Sequence, residues 1–244
     1  MPKAKSESKT KAARKDPIST KTKPPAKLKD PKASHLYTDD NPSTTIHGTG
    51  FKDSAAAIRT LDLIKDRSLI YQWQTVNTMY NRAKHHPAMK KAVDGAASTQ
   101  DMRNAMEVFK TWLEETYPAS KAALRGSEGF KPLLSKKVVE RYLSRIEESG
   151  SVGEQAKAFA RMYVALPKGK KLGNVLVDDG KPTEADWDRK RYDVLCGIVA
   201  AGKDEGGEEG WKVSELWADD RVVTGQHLEL IALAWSPVKE AKLP

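Results

Sequence analysis

Apolar residues recur at spacings of three and four along most of the chain after residue 46, as expected of amphipathic helices. The clearest series follows Ser68, a residue suited to cap a helix, and Pro87 is expected to end it. Its apolar members are Leu69, Trp73, Val76, Tyr80 and Ala83. The pattern predicts one continuous helix across this segment.

The same pattern predicts further helices, each bounded by capping residues, glycine or proline. They are expected after Asp53 or Ser54, between Ser98 or Thr99 and Pro118, from Ser135 to Gly150, from Ala156 to Pro167, after a Thr183 cap, and from a Thr224 cap to Trp235. Residues 168–181 differ, because Val175 to Val177 lie between turn signals and predict one short strand or a small hairpin. We therefore predict a mostly α fold, a single multi-helix body with one small β-hairpin or strand.

The domain boundaries follow from changes in composition. Residues 1–45 are rich in lysine and proline and poor in large apolar residues, which predicts a disordered basic tail. Residues 46–238 are expected to form the helical body, with a possible sub-division near residue 150. Residues 239–244 follow Pro237 and are expected to be a frayed C-terminus.

The distribution of charge changes how the net charge of +9 is interpreted. Residues 1–34 hold ten lysines and one arginine against three acidic residues, a net of +8, so the rest of the chain carries only about +1. The tail resembles in composition the tails of linker histones and other chromatin proteins. Its cationic residues are predicted to contact nucleic-acid phosphates, and those named for this role are Lys3, Lys5, Lys9, Lys11, Arg14 and Lys15.

Several classes of protein are disfavoured by the sequence. Cys196 is the single cysteine, so no intrachain disulfide is possible. The lysine-rich N-terminus lacks the apolar stretch of a secretory signal, and no apolar run is long enough to span a membrane. We expect a nuclear or cytoplasmic protein without a membrane partner.

Motifs for catalysis or metal binding are weak. The glycine loop His47–Lys52 could hold a phosphate, but it lacks the third glycine and the preceding strand of a dinucleotide site. His85 and His86 are adjacent and cannot face one site on a helix. The Asp-Asp pairs at residues 39, 178 and 219 suit turns or caps. The sequence therefore predicts no catalytic residue, metal site or cofactor.

The helix after Ser68 is unusual because the 14 residues from Ser68 to Asn81 carry no charge. Exposed helix faces usually carry Lys and Glu, whereas Asn and Thr have lower helix propensity and destabilise a helix at such positions. Two interpretations stay open: the helix is covered on both sides, or this face binds a ligand or partner. The residues of the candidate binding face are Gln74, Asn77, Asn81, Arg82 and His85.

A second candidate surface is basic. Lys168, Lys170 and Lys171 crowd one turn, and further cations lie at residues 131–137 and 189–191. If these segments fold onto one side, they would supply additional phosphate contacts. The acidic loop from Asp204 to Glu209 would repel nucleic acid wherever it lies.

Two stretches resemble a group of uncharacterised fungal, mainly basidiomycete, proteins. They are HGTGFKDSAAAIRTLDLIKDRSLIYQWQTVNTMYNRAKHHP and YVALPKGKKLGNVLVDDGKP, and the resemblance covers about residues 46–238. The group has no established activity, so the resemblance implies a eukaryotic intracellular setting and no functional residue.

Three functional hypotheses follow from these observations. The first is a non-enzymatic nuclear or nucleic-acid-associated protein whose tail contacts DNA or RNA. The second is a helical protein–protein interaction module that uses the uncharged face around Asn77 and Asn81. The third is an all-α enzyme of unknown substrate with Asn77, Arg82 and His85 around a cleft.

Overall fold

The computed structural model describes residues 46–90, 97–205, 207–219 and 222–244. The predicted disorder of residues 1–45 lies outside the described residues. So do the tail cations Lys3, Lys5, Lys9, Lys11, Arg14 and Lys15. The described residues from Ile46 to Pro244 fall in one compact unit. Their secondary structure is mostly α with one small two-stranded sheet, which confirms the predicted fold class.

The helices follow the predicted apolar series closely. They are α1 (Ser54–Ile64), α2 (Leu69–Lys84), α3 (Pro87–Lys90), α4 (Ala97–Thr111), α5 (Tyr117–Ala122), α6 (Lys136–Glu148), α7 (Glu154–Ala165), α8 (Trp187–Ile198), α9 (Val213–Leu216) and α10 (Gly225–Ala232). Two predicted caps are confirmed. Asp53 accepts from the Ala56 amide at the start of α1, and Thr224 accepts from the His227 amide at the start of α10.

The apolar faces of these helices form two hydrophobic clusters. The first packs α1, α2 and α4 around Val76 and Phe109. The second packs α6, α7, α8 and α10 around Phe159 and Ile231. The chain passes from the first cluster to the second between Tyr117 and Phe130, whereas the turn near residue 150 connects two helices of the second cluster.

The prediction that Pro118 ends the helix that begins as α4 is wrong. A π-helical turn, Trp112–Thr116, continues from α4 into α5, and Pro118 lies in the first turn of α5. Proline disrupts a helix because it lacks an N–H and crowds the preceding turn. The wider π turn changes the hydrogen-bond register just before Pro118, so the helical path continues past it.

The small β element lies elsewhere than predicted. The antiparallel strands β1 (Trp217–Asp219) and β2 (Val222–Val223) form the hairpin. The predicted segment Val175–Val177 contributes only an isolated antiparallel bridge between Leu176 and Asp186. A strand of two or three residues is too short for an alternating pattern to distinguish it from a turn.

A buried ion pair joins the two clusters. Arg67, between α1 and α2, donates through Nε to Oδ2 of Asp186 at 3.1 Å, and both side chains are at most 2% exposed. The same oxygen accepts from the amide and the hydroxyl of Ser68, each at 2.9 Å. Oδ1 accepts from the Arg189 amide, so Asp186 caps α8, and the predicted Thr183 cap is wrong.

A second buried arginine fixes two turns. Arg191 of α8 donates to the carbonyl oxygens of Leu233 at 2.6 Å and Phe130 at 2.8 Å. Phe130 and Ala234 have positive φ angles of 60° and 51°, a conformation that side-chain-bearing residues rarely adopt. Burial lowers the pKa of Arg191 to about 10. Its hydrogen bonds hold both turns against α8.

The prediction of a frayed C-terminus is wrong for residues 239–244. The Glu240 carboxylate accepts from the amide and the hydroxyl of Ser135, the residue before α6. These bonds hold the pKa of Glu240 below its ordinary value. Leu243 is buried in the second cluster, and the Pro244 carbonyl accepts from the Tyr142 hydroxyl. Pro237 therefore does not end the folded chain.

Candidate functional site

The uncharged face of α2 is partly open, and its side chains bond mainly within their own helix. The Asn81 amide donates to the carbonyl oxygen of Asn77 at 2.8 Å, and the Thr78 hydroxyl donates to that of Gln74 at 2.6 Å. Thr78, Asn81 and His85 are exposed. Burial on both sides therefore does not explain these polar residues, and the backbone of α2 itself, not that of a covering element, satisfies the Asn81 amide.

A cavity of about 240 Å³ opens beside this face. From α2 it is lined by Tyr71, Gln74, Thr75, Thr78, Met79 and Arg82. Of the five residues predicted to form a binding face, Gln74 and Arg82 line the cavity. Asn77, Asn81 and His85 do not, because they lie on the neighbouring stripe of the helix. The structure thus divides the predicted face into a cavity wall and an outer surface.

The glycine loop before α1 forms the other side of the cavity through Ile46 and Thr49. Gly48 has a φ of +87°, which glycine adopts without strain. The Gly50 amide donates to the Thr60 hydroxyl at 2.8 Å, which ties the loop to α1. In the sequence, this loop and the uncharged helix are two separate unusual segments. Local residue spacing does not predict that they contact each other.

Arg82 is the unusual side chain of this cavity. Its Nε is buried and has no hydrogen-bond partner, which is true of no other buried side-chain nitrogen or oxygen in the described part of the chain. A buried donor without a partner costs about 1–3 kcal/mol. Such groups are rare in native structures, and this nitrogen is not itself exposed to the cavity.

The predicted basic surface is present in part. Lys136, at the start of α6, donates to the Leu166 carbonyl oxygen at the end of α7. This bond places the start of α6 next to the turn that carries Lys168, Lys170 and Lys171. These three lysines are exposed and form no ion pair with any described residue. We call residues 136–137 and 168–171 the basic corner.

Other predicted basic residues are engaged in ion pairs. Lys131 lies 3.4 Å from Asp188, and Arg189 donates to Asp193 at 3.0 Å. Their charges are partly neutralised. Residues 131 and 189 therefore add less to a phosphate-binding surface than the sequence suggested.

A second cavity, of about 180 Å³, lies where α2, α5 and α8 meet. Its wall includes Ser68, Tyr192 and the ion-paired Lys131. Charged groups at its edge already have partners, since Lys121 pairs with Glu128 at 3.0 Å. Among the described residues, no buried side-chain nitrogen or oxygen at this cavity lacks a hydrogen-bond partner.

His227 and Ser236 form a buried pair that sequence spacing did not reveal. The Leu216 carbonyl oxygen accepts from His227 Nδ1 at 3.0 Å, so Nε2 accepts from the Ser236 hydroxyl at 2.8 Å. Burial lowers the pKa of His227. Ser236 also accepts from the Val238 amide at 3.0 Å. These bonds orient a turn and resemble a nucleophile–base contact only in the identity of the two side chains.

Other site predictions meet the structure as follows. Among the described residues, no three His, Cys, Asp or Glu side chains are grouped as metal ligands would be. No described helix is long and apolar enough to cross a membrane. The Asp178 carboxylate accepts from the Gly180 amide at 2.9 Å, which is the turn role expected of it. Cys196 is partly buried against the second cluster.

No protein-family model, curated protein or solved structure matches the chain. The resemblance to uncharacterised fungal proteins therefore stays a prediction. No functional residue is carried to this chain from another protein.

Proposed function

We propose that this protein is a non-enzymatic, nucleic-acid-associated protein of the nucleus or cytoplasm, and that its basic tail contacts DNA or RNA backbone without reading sequence. The observation that carries the proposal is the concentration of charge, with +8 of the net +9 in residues 1–34. Flexible cationic segments neutralise phosphates and release counterions, which supplies most of non-specific binding.

The basic corner supports this proposal from the folded body. Lys168, Lys170 and Lys171 are exposed and unpaired among the described residues, so their charges are available to a polyanion. Contacts from a fixed surface would orient the nucleic acid on the body while the tail supplies most of the affinity.

The acidic loop opposes such binding less than its composition suggested. Asp204 accepts from the Arg125 guanidinium at 3.2 Å and from the Gly126 amide at 3.1 Å. Glu208 pairs with Lys242 at 2.7 Å. Two of the loop's acidic side chains are thus partly neutralised by neighbours.

Substitution of cations in the full-length chain tests the proposal. In one variant Lys3, Lys5, Lys9, Lys11, Arg14 and Lys15 are changed to Gln, and in another Lys168, Lys170 and Lys171 are changed to Gln. We expect the first variant to lose most of its affinity for a fluorescent duplex at low salt and the second to lose less. The control matched to the second variant changes Lys65, Lys110 and Lys181 to Gln. These three lysines are ion-paired on the surface.

Two results would contradict the proposal. The natural chain failing to bind duplex DNA or RNA at low salt would remove it altogether. A tail variant that binds as tightly as the natural chain would show that the tail charge is not responsible.

A second candidate function is a helical interaction module. The observation in its favour is that the outer surface of α2 is uncharged and open, with Asn81 exposed and its amide bonded to Asn77. Another protein could dock there without desolvating a charge. If Asn77→Lys and Asn81→Lys together leave every bound protein in place in a pull-down, with the fold intact, this candidate is wrong.

No specific observation favours the enzyme hypothesis. Of the three polar groups proposed for a cleft, only Arg82 lines the cavity, whereas Asn77 and His85 lie outside it.

A further inference from the structure

One side of α6 carries three exposed cations that form no ion pair with any described residue. Lys137, Arg141 and Arg145 recur at four-residue spacing, so they lie in line along the helix. Glu148 lies one turn beyond Arg145, and Glu240 lies near Arg141, but neither acid pairs with these arginines. We call Lys137, Arg141 and Arg145 the basic row.

Other surface arginines of the protein differ from the two in the basic row. Arg161 donates to the Glu147 carboxylate at 2.8 Å, and Arg189 donates to that of Asp193 at 3.0 Å. The positive charges of Arg161 and Arg189 are therefore partly neutralised by the protein itself. The charges of the basic row stay available to an anion outside the protein.

Neutral groups hold the two arginines of the basic row in place. Nη1 of Arg141 forms a long hydrogen bond of 3.4 Å to the Leu243 carbonyl oxygen. Nη2 of Arg145 forms one of 3.5 Å to the Val223 carbonyl oxygen. Their guanidinium carbons lie 6.0 Å and 5.8 Å from the centroid of the Tyr142 ring, which attracts cations. A guanidinium group has five N–H donors, so most of these donors are left for a ligand.

The basic row continues the basic corner, because Lys137 belongs to both. Lys136, beside it, bonds to the Leu166 carbonyl oxygen just before the turn that carries the exposed lysines of residues 168–171. Lys137 and Arg145 are eight residues apart, so the row spans about 12 Å. A line of cations of this length complements a line of phosphates better than one compact anion, because a duplex carries one charge per roughly 1.7 Å of its axis.

We propose that the basic row and the basic corner form one continuous surface for the backbone of a nucleic-acid duplex, with Arg141 and Arg145 each contacting a phosphate. This inference rests on the proposed function and adds to it a binding surface on the folded body. Guanidinium groups pair with phosphate oxygens through two parallel hydrogen bonds, a geometry that lysine does not offer. Such contacts determine how the body lies against a duplex without reading its sequence.

Paired substitutions in the full-length protein test this surface. Arg141→Gln with Arg145→Gln removes two charges from the basic row. The matched control, Arg161→Gln with Arg189→Gln, removes two charges that carboxylates already neutralise in part. Both variants have the same net charge, so a difference between them depends on position. A fluorescent DNA duplex is titrated at several salt concentrations, and the salt slope is the change in the logarithm of the association constant with the logarithm of salt concentration.

We expect the variant with Arg141→Gln and Arg145→Gln to bind about tenfold more weakly at low salt and to have a salt slope smaller in magnitude by about 2, because each phosphate contact contributes about 0.9. The control is expected to bind and to respond to salt as the natural chain does. Arg141→Lys with Arg145→Lys is expected to keep most of the salt slope and to lose part of the affinity, because the charges remain and the paired hydrogen bonds do not. Circular dichroism reports whether each variant is folded.

Several outcomes would overturn the inference. If folded Arg141→Gln, Arg145→Gln keeps the affinity and salt slope of the natural chain, the basic row does not contact the duplex, although binding by the tail would stand. An equal loss in the control would show an effect of net charge and not of this surface. If polyglutamate binds the natural chain more tightly than the duplex does, and these substitutions abolish that preference, the surface fits an acidic protein. Failure of the natural chain to bind any duplex would remove the proposed function as well.

Discussion

At the scale of single residues, Asp186 links the segment between α1 and α2 to the start of α8. Its carboxylate accepts from Arg67 and from Ser68 of the first half, and it caps α8 of the second. We expect Asp186→Asn to lower the free energy of unfolding by about 3–5 kcal/mol, because Arg67 would stay buried without its counter-charge. Chemical denaturation measures this change.

Asp62 provides the control for that prediction. It pairs with Lys65 at 2.9 Å, but both side chains are more than 60% exposed. Asp62→Asn is expected to leave the free energy of unfolding nearly unchanged. If Asp186→Asn is as mild as Asp62→Asn, the ion pair does not join the two clusters energetically.

His227 makes stability depend on pH. Burial lowers its pKa below the ordinary value of 6.5, while the Leu216 carbonyl and the charge of Glu208 oppose this shift. The unfolded chain therefore binds a proton more readily than the folded one, so this contribution is complete above about pH 6.5 and is lost as the pH falls. We expect the Tm to fall between pH 7 and pH 5, and to fall less in His227→Gln.

The comparison of the two pH profiles decides this prediction. The natural chain and His227→Gln share every other titrating group, so the difference in slope belongs to His227. Parallel profiles over this range would mean that the folded and unfolded states bind the His227 proton equally.

At the scale of elements, α2 separates a buried face from an open one. Val76 is fully buried in the first cluster, whereas Asn81 is exposed and bonds within its own helix. We expect Asn81→Lys to change the free energy of unfolding by no more than about 0.5 kcal/mol. Val76→Asn, on the buried face, is expected to cost more than about 2 kcal/mol. A large loss in Asn81→Lys, measured by denaturation, would mean that this face is covered.

The helices themselves were predictable because local periodicity determines them. The series Met102, Ala105 and Phe109 marks the buried face of α4, and Asp53 and Thr224 cap as their side chains suggest. The continuation past Pro118 was not predictable, because a π turn leaves no periodic trace. The strands Trp217–Asp219 and Val222–Val223 are too short to show an alternating pattern of their own.

At the scale of the whole molecule, long-range pairs were beyond the sequence. Arg67 and Asp186 are 119 residues apart, and nothing in their local spacing relates them. The glycine loop and α2 were each recognised as unusual, but only their packing creates the cavity beside Arg82. The basic corner likewise depends on the contact between Lys136 and Leu166. The concentration of positive charge in residues 1–34, by contrast, follows from counting the charged residues in the sequence.

If the tail supplies phosphate contacts, as we propose, the salt dependence of binding to duplex DNA reports how many there are. The logarithm of the association constant for duplex DNA should fall linearly with the logarithm of salt concentration, by about 0.9 for each phosphate contacted. We expect the variant with six tail cations changed to Gln to have a slope smaller in magnitude by about 3–5. An unchanged slope in that variant would show that the tail cations do not contact the phosphates.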